Sequence, residues 1–265
     1  MDKRILSEIW IYPVKSLGGI RLPTAQVLEK GLRYDRRWML VNEKNEFLSQ
    51  RAYPSMALFK MKTDPGGFFV THGNDSILLP KEMPTSTQTI QAQIWDDHVD
   101  VLEMPIEYNK WFSSRLDINC KLVGFPEGSP RPAEIDHNVG AAHVSLADGY
   151  PLLIIGQSSL YDLNARLEIP LPMNRFRPNL VFEGGVPYEE DGWRNFTVGK
   201  NRFVGVRPCA RCVIPTVDQE TGIKGKEPLL TLSRYRKRDE NIYFGQNIIA
   251  IDHSEVNEGD EITIE

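Results

Sequence analysis

Two of the chain's three cysteines stand together in Pro208-Cys209-Ala210-Arg211-Cys212, with Arg207 and Arg211 beside them. Guanidinium groups near a thiol favour the thiolate, the form that attacks electrophiles and binds soft metals. The run alone leaves several chemistries open. A zinc site would need a second ligand pair, and Cys120 adds only one sulfur. His72, His98, His137, His143 and His253 are scattered without ligand spacing, with His137 and His143 the pair near a loop of interest. A thioredoxin-like redox pair belongs at a strand-to-helix turn, whereas residues 213–217 read as extended and contain Pro215. Small buried cysteines that only pack are the third reading.

Cations and amides gather at other loop positions. Lys15 and Ser16 follow a strand pattern and precede Gly18-Gly19, an arrangement suited either to an anion or to a solvated turn. Arg33-Tyr34-Asp35-Arg36-Arg37-Trp38 sets cations beside aromatics, although Asp35 would also serve as a simple surface partner. In Asn174-Arg175-Phe176-Arg177-Pro178-Asn179, Arg offers a fork for phosphate, and Asn both a donor and an acceptor for a heterocycle edge. A strand-capping loop is the competing reading there. Asp148-Gly149-Tyr150-Pro151 is a turn signal first and a binding candidate second. Together these runs offer a thiolate, a phosphate cradle and groups able to read a heteroaromatic ring. That combination suits a phosphorylated organic cofactor bearing sulfur or metal better than a simple metabolite.

The elements that must position these groups are mostly strands. Residues 5–12 alternate and end at Pro13, and residues 37–41 and 46–49 flank a plausible hairpin. Residues 57–63 and 68–71 flank Asp64-Pro65-Gly66-Gly67, a stronger turn. Residues 77–79 and 99–102 add short strands, and Tyr108, Trp111, Phe112 and Leu116 recur at helical spacing across 106–116. In the second half, 152–155 reads as a buried strand. A helix follows, with Ser158 or Ser159 as N-cap and Leu160, Leu163 and Leu167 on its inner face. Strands are expected at 179–182, 202–206, 243–251 and 261–264, and Pro228 opens a helix to about residue 236. The Pro- and Gly-rich stretch 126–140 divides a β-rich domain, 1–125, from a second domain, 126–265. The expected class is α+β, predominantly β, with a barrel-like architecture and a few packed helices.

Composition removes several function classes. The 265 residues are 41% hydrophobic and 25% charged with a net charge of −5, and no basic stripe marks a nucleic-acid partner. Apolar runs such as 152–155 are too short to span a bilayer, the charged start is unlike a signal peptide, and an odd cysteine count argues against a disulfide framework. A cytoplasmic location without membrane contact is expected. There is no Walker loop, no G-x-G-x-x-G after a strand, no H-E-x-x-H and no G-x-S-x-G elbow.

Ordered motifs across the chain resemble one family. Ile11-Tyr12-Pro13-Val14-Lys15-Ser16 looks like the opening signature of MOSC proteins, and Gly31 to Trp38, Ala147 to Pro151, Asn174 to Asn179 and Cys209 to Asp218 continue it. Thr221-Gly222, Lys226-Glu227-Pro228-Leu229 and Phe244-Gly245-Gln246-Asn247 extend it. The branch it most resembles is that of the mitochondrial amidoxime-reducing component and its bacterial relatives. The resemblance implies a MOSC barrel behind an N-terminal MOSC-associated β-rich domain, and a molybdenum cofactor, molybdenum bound to molybdopterin. It also implies an oxidoreductase that takes oxygen from hydroxylamines, amidoximes or N-oxides. Cys212 is then the molybdenum ligand and catalytic residue. Lys15, Ser16, Arg36, Arg177 and Asn179 match positions that hold the pterin and its phosphate, and Gly149 and Tyr150 would contribute through backbone groups. Asp218 is a candidate proton relay, with turn formation beside Thr221-Gly222 as its alternative. No fused iron–sulfur domain is expected, so electrons would come from a separate ferredoxin, or a cytochrome b5-like protein with its reductase. The rival implication is a carrier of cofactor or sulfur, with a persulfide on cysteine and Cys209 helping to resolve it. The resemblance also leaves room for a pyridoxal phosphate-binding assignment.

Overall fold

The computed structural model describes residues 3–84, 88–133 and 142–265. His137 and residues 134–140 of the expected connection lie outside the described residues.

The run Leu152–Gly156 is buried along its whole length. Its period-two alternation feeds two cores, as expected of a strand covered on both faces. Leu152 and Ile154 join a core with Leu6, Leu180, Phe182, Phe196, Phe203 and Ile248. Leu153 and Ile155 join a second with Leu160, Leu163, Phe176, Val181 and Phe244. Neighbouring strands repeat the pattern, with Leu180 and Phe182 facing the first core and Val181 the second.

Seven strands close around that first core. Arg4–Ile11 pairs with Leu180–Glu183, which runs parallel to Leu152–Gly156, and that strand pairs with Asn241–Ala250. Asn201–Ala210, Asn195–Val198 and Glu261–Ile264 complete the ring back to Arg4–Ile11. Closure removes the edges that an open sheet would expose. Gly245 sits at φ +80°, and a Cβ there would come within 2.7 Å of Ile155 Cγ1, so the bend in Asn241–Ala250 requires glycine.

The first half builds a four-stranded sheet in the order Trp38–Val41, Lys121–Gly124, Asp97–Glu103, Thr89–Ile94. A three-stranded meander, Lys60–Asp64, Gly67–His72 and Asp75–Pro80, stands beside the helix Ile106–Leu116. The expected predominantly β, barrel-like class is what the chain adopts. Among the described residues no helix is long and apolar enough to cross a membrane.

Several local expectations change. The helix expected from Pro228 to about residue 236 is only Leu229–Leu232, and residues 213–217, expected to be extended, hold a 3-10 turn at Ile214–Thr216. Trp38–Val41 pairs with Lys121–Gly124, and Phe47 contributes only an isolated bridge to Val41. The stretch expected to begin a strand at 57 is first a 3-10 turn, Pro54–Leu58, because Pro54 fixes the first φ of that turn. The helix after the buried strand is Gln157–Asn164, capped at Gly156, so Leu167 lies beyond it.

Neither serine caps that helix. Glu190, fully buried, accepts hydrogen bonds from Gly156 N at 3.2 Å and from Ser159 Oγ at 2.9 and 3.0 Å. Burial pushes its carboxyl up to about 7, against the lowering effect of these donors, while Asp191 adds repulsion. A carboxyl that is easier to protonate when folded favours the folded state most below its unfolded value. That advantage is lost as pH rises through about 7, to a limit on the order of 3 kcal/mol. The stability of wild type minus that of Glu190→Gln should therefore fall between pH 5 and pH 8, read from urea unfolding across that range. A flat difference would show that Glu190 stays ionised throughout.

Candidate functional site

The end of Arg4–Ile11, the starts of Leu152–Gly156 and Leu180–Glu183, and the end of Asn201–Ala210 meet at one mouth of the barrel. A cleft of about 500 Å³ opens there. Lys15, Ser16, Arg36, Gly149, Tyr150, Arg177, Asn179 and Cys212, all singled out from the sequence, line it. Asp218 does not line the cleft. Its Oδ1 accepts from Glu220 N, Thr221 N and Thr221 Oγ1, and Oδ2 takes the Arg175 guanidinium at 2.9 Å, so the carboxylate builds the turn.

Behind the cleft wall two of its guanidinium groups lie over one phenol ring. Arg36 lies 4.7 Å and Arg177 4.1 Å from the centre of buried Tyr12, whose hydroxyl donates to Pro178 O. Both arginines hold left-handed backbone, φ 50° and 56°, as does Ser16 at 67°. Such conformations cost energy for residues with a Cβ and concentrate at functional sites. Asp35, buried beneath them, accepts from Tyr12 N at 2.8 Å and from Arg36. Burial pulls Arg177 down to about 10, with Tyr12 resisting and Arg36 adding to the fall, so it remains charged at neutral pH.

Asn179 fastens this cluster to the barrel. Its Oδ1 accepts from Leu153 N at 3.2 Å and from Arg36 at 3.1 Å, while Nδ2 donates to Trp10 O at 3.1 Å. The amide therefore positions Arg36 and joins three chain segments, with both its ends already engaged.

On the opposite wall buried Lys15 donates to Leu146 O at 2.7 Å and to Asp148. Burial lowers the Lys15 ammonium to about 8, even with Asp148 holding its proton. Burial raises the Asp148 carboxyl, but Lys15 and Arg51 outweigh it and hold Asp148 well below the usual carboxylate range. Burial lowers the Arg51 pKa, but Asp148, whose Oδ2 accepts from Arg51 at 2.7 Å, and the nearby Cys212 outweigh it and raise Arg51 above the ordinary arginine value.

The two cysteines occupy different surroundings. Cys209 packs against the second core and takes Arg211 Nη1 at 3.2 Å. Cys212 lies past the strand, on the cleft wall beside Arg51. Six cations line the cleft (Lys15, Arg36, Arg51, Arg177, Arg207 and Arg211) against the carboxylates of Asp96 and Asp148. Such a site can bind an anion and offer one sulfur to a soft centre. Among the described residues no cluster of three or more His, Cys, Asp or Glu would hold a metal ion.

Sequence reasoning missed Arg51 and Trp95, which reach the cleft from the first half of the chain. It also missed a buried pair, Gln50 and Gln219, whose amides bond reciprocally at 3.1 and 2.9 Å. Gln50 further donates to Ser16 O and Gln219 to Val217 O, tying the Lys15 loop to the segment after Cys212. The one visible signal was Trp95, a large aromatic beside Asp96-Asp97 where a turn residue would be expected.

Comparison with known proteins adds ancestry to this geometry. Residues 3–119 match the MOSC N-terminal beta barrel domain and residues 141–263 the MOSC domain. Mitochondrial amidoxime-reducing component 1 of Mus musculus is 32% identical over 244 residues, covering 88% of this chain and 72% of that protein. Molybdenum cofactor sulfurase of Arabidopsis thaliana is 30% identical over 264 residues, which is 91% of this chain but 32% of that protein. Among solved structures, the YUAD protein from Bacillus subtilis aligns over 99% of this chain and 97% of its own length, with a TM-score of 0.43 at 9% identity.

The Asn179 frame is directly testable. Asn179→Ala leaves a buried amide and a buried carbonyl short of a partner and frees Arg36, so urea unfolding should show a loss of about 2–4 kcal/mol. A loss below about 0.5 kcal/mol would mean the amide carries little of the frame.

Proposed function

Because this chain belongs to the MOSC-domain family, we propose that it is a molybdenum-cofactor-dependent reductase of N-hydroxylated compounds. The observation that carries the reading is the placement of Cys212 beside Arg51 on the wall of a cleft lined by six cations. That donor set fits an anionic, phosphate-bearing pterin that brings its own sulfur ligands. A protein sulfur and a cationic wall are what such a group leaves for the chain to supply.

In this reading Arg36 and Arg177, locked against Tyr12, present fixed positive charge to the phosphate. Lys15 and the Ser16 segment stand on the opposite wall. Gly149 and Tyr150 offer backbone groups, and Asn179 acts through Arg36, since both ends of its amide are engaged. Cys212 supplies the metal-binding sulfur, and Arg51 orients it. When bound, the cofactor would supply a reduced metal able to accept oxygen from an N–OH or N-oxide group. Overall the reaction consumes two electrons and two protons and releases water, the electrons arriving from a separate redox protein. Arg175 and the local turn keep the Asp218 carboxylate occupied, so the proposal gives it no proton to carry.

The match to molybdenum cofactor sulfurase favours one second reading, a carrier that holds sulfur on cysteine. Protein purified from a host that makes the cofactor separates the two. Elemental analysis should find molybdenum, and a chemical reductant should drive reduction of a hydroxylamine or an amidoxime. Cys212→Ser should lose turnover by at least about a hundredfold together with metal retention, whereas Cys209→Ser keeps most of both. Full activity in Cys212→Ser would overturn the ligand assignment. Cyanide-labile sulfur on cofactor-free protein, with no turnover when loaded, would favour the carrier.

A further inference from the structure

We infer that Trp95 is the substrate-selecting wall of the cleft, a fixed aromatic face that favours N-hydroxylated groups carried on a flat conjugated skeleton over aliphatic ones. The inference rests on the reductase reading above and adds the class of substrate.

Trp95 and Asp96 form the two-residue loop that joins Thr89–Ile94 to Asp97–Glu103, closed by the Ile94–Asp97 pair. Trp95 takes φ 54° there. A short hairpin loop with positive φ is served best by glycine or asparagine, and a bulky side chain strains it. The turn itself gains nothing from an indole. Nor does a core claim the ring, which remains 45% exposed.

Despite that exposure the ring is held from three sides. Its Nε1 donates to Asp148 Oδ1 at 3.4 Å, and Asp148 is anchored in turn by Lys15. Phe47 meets it edge-on at 5.1 Å between centroids, and the Arg51 guanidinium lies 4.7 Å from its centre. Arg51 also reaches Cys212, so one side chain separates the indole from the sulfur. A group presented at Cys212 would carry its substituent along the open part of the Trp95 ring. Tyr150, with Arg207 5.0 Å from its ring, supplies a second aromatic to the same cleft.

Beyond the cation already over it, Arg51, an indole face gains most from a flat conjugated partner through stacking. An aryl amidoxime fits that description along its whole length, because the carbon that bears its N-hydroxylated nitrogen is conjugated with the ring. An alkyl amidoxime offers the same reacting group without the stacking surface. The pair therefore isolates what Trp95 does.

The experiment uses molybdenum-loaded protein, with benzene- and methyl-substituted amidoximes compared in wild type, Trp95→Ala and Trp95→Phe. Two readouts are taken: the ratio of kcat/KM for aryl over alkyl substrate, and calorimetric binding of each with no electron donor present. Trp95→Ala should lower the aryl-over-alkyl ratio roughly three- to tenfold in both readouts, through KM rather than kcat, and Trp95→Phe should retain most of it. Equal losses for both substrates, or an unchanged ratio, would overturn the inference while leaving the reductase reading intact. Loaded wild type that turns over neither substrate would remove the reductase reading. In that case aryl-selective binding lost in Trp95→Ala would still support the aromatic wall, and absence of such selectivity would remove it too.

Discussion

The functional architecture depends on one crowded contact, the Arg36 and Arg177 guanidinium groups both held over the buried Tyr12 ring. Two like charges this close repel, and both have lost water, so the arrangement survives only because its surroundings fix it. Asp35 bonds to Arg36 and to Tyr12 N, Arg177 donates to Leu17 O, and the Tyr12 hydroxyl reaches Pro178 O. Left-handed backbone at both arginines turns the chain sharply at each. The ties join three segments, residues 12–17, 35–36 and 177–178, so the cluster exists only once these have met at the barrel mouth.

Much of this was legible in the sequence and some was not, for physical reasons. Arg36, Arg177, Asn179, Lys15, Ser16 and Cys212 could be found because each lies just after or before a strand pattern, and strand ends at a barrel mouth converge. The two-faced burial of Leu152–Gly156 was legible from its unbroken apolar run. The closure of the ring was not: alternation tells which face is buried and never which strand is the neighbour. Local pattern showed Asn179 only as a candidate ligand reader and gave no sign of the frame it builds, in which both ends of its amide bond Leu153, Trp10 and Arg36. Arg51 and the Gln50–Gln219 pair were invisible because their partners stand far along the chain, in Asp148, Cys212 and Ser16.

The two cysteines show how position separates identical side chains. Cys209 is the next-to-last residue of a barrel strand, where its sulfur packs with the second core and takes a hydrogen bond from Arg211. Cys212 lies two residues past the strand end, and both cysteines line the cleft. Arg211 sits between them in the chain, with Nη2 on Phe176 O and Nη1 on Cys209. The Cys209 sulfur is thus paired with Arg211 and partly buried against the second core, whereas Cys212 stands beside Arg51.

The charge balance of the cleft points the same way. A chain of net charge −5 has gathered six cations against two carboxylates around one opening. Unit charges about 5 Å apart interact by about 3 kcal/mol at an effective dielectric near 20, and each added cation multiplies the number of repelling pairs. Folding could relieve that repulsion by scattering the arginines over the surface, where most proteins keep them. Instead Asn179, Gln50 and Gln219 spend buried amides to hold the cationic segments together. An anionic occupant changes the sign of the sum, because the same six groups that repel one another each attract it. In the proposed reading a bound anion would relieve that repulsion, and the polar frame around the cleft is the part of the fold that holds the six cations together.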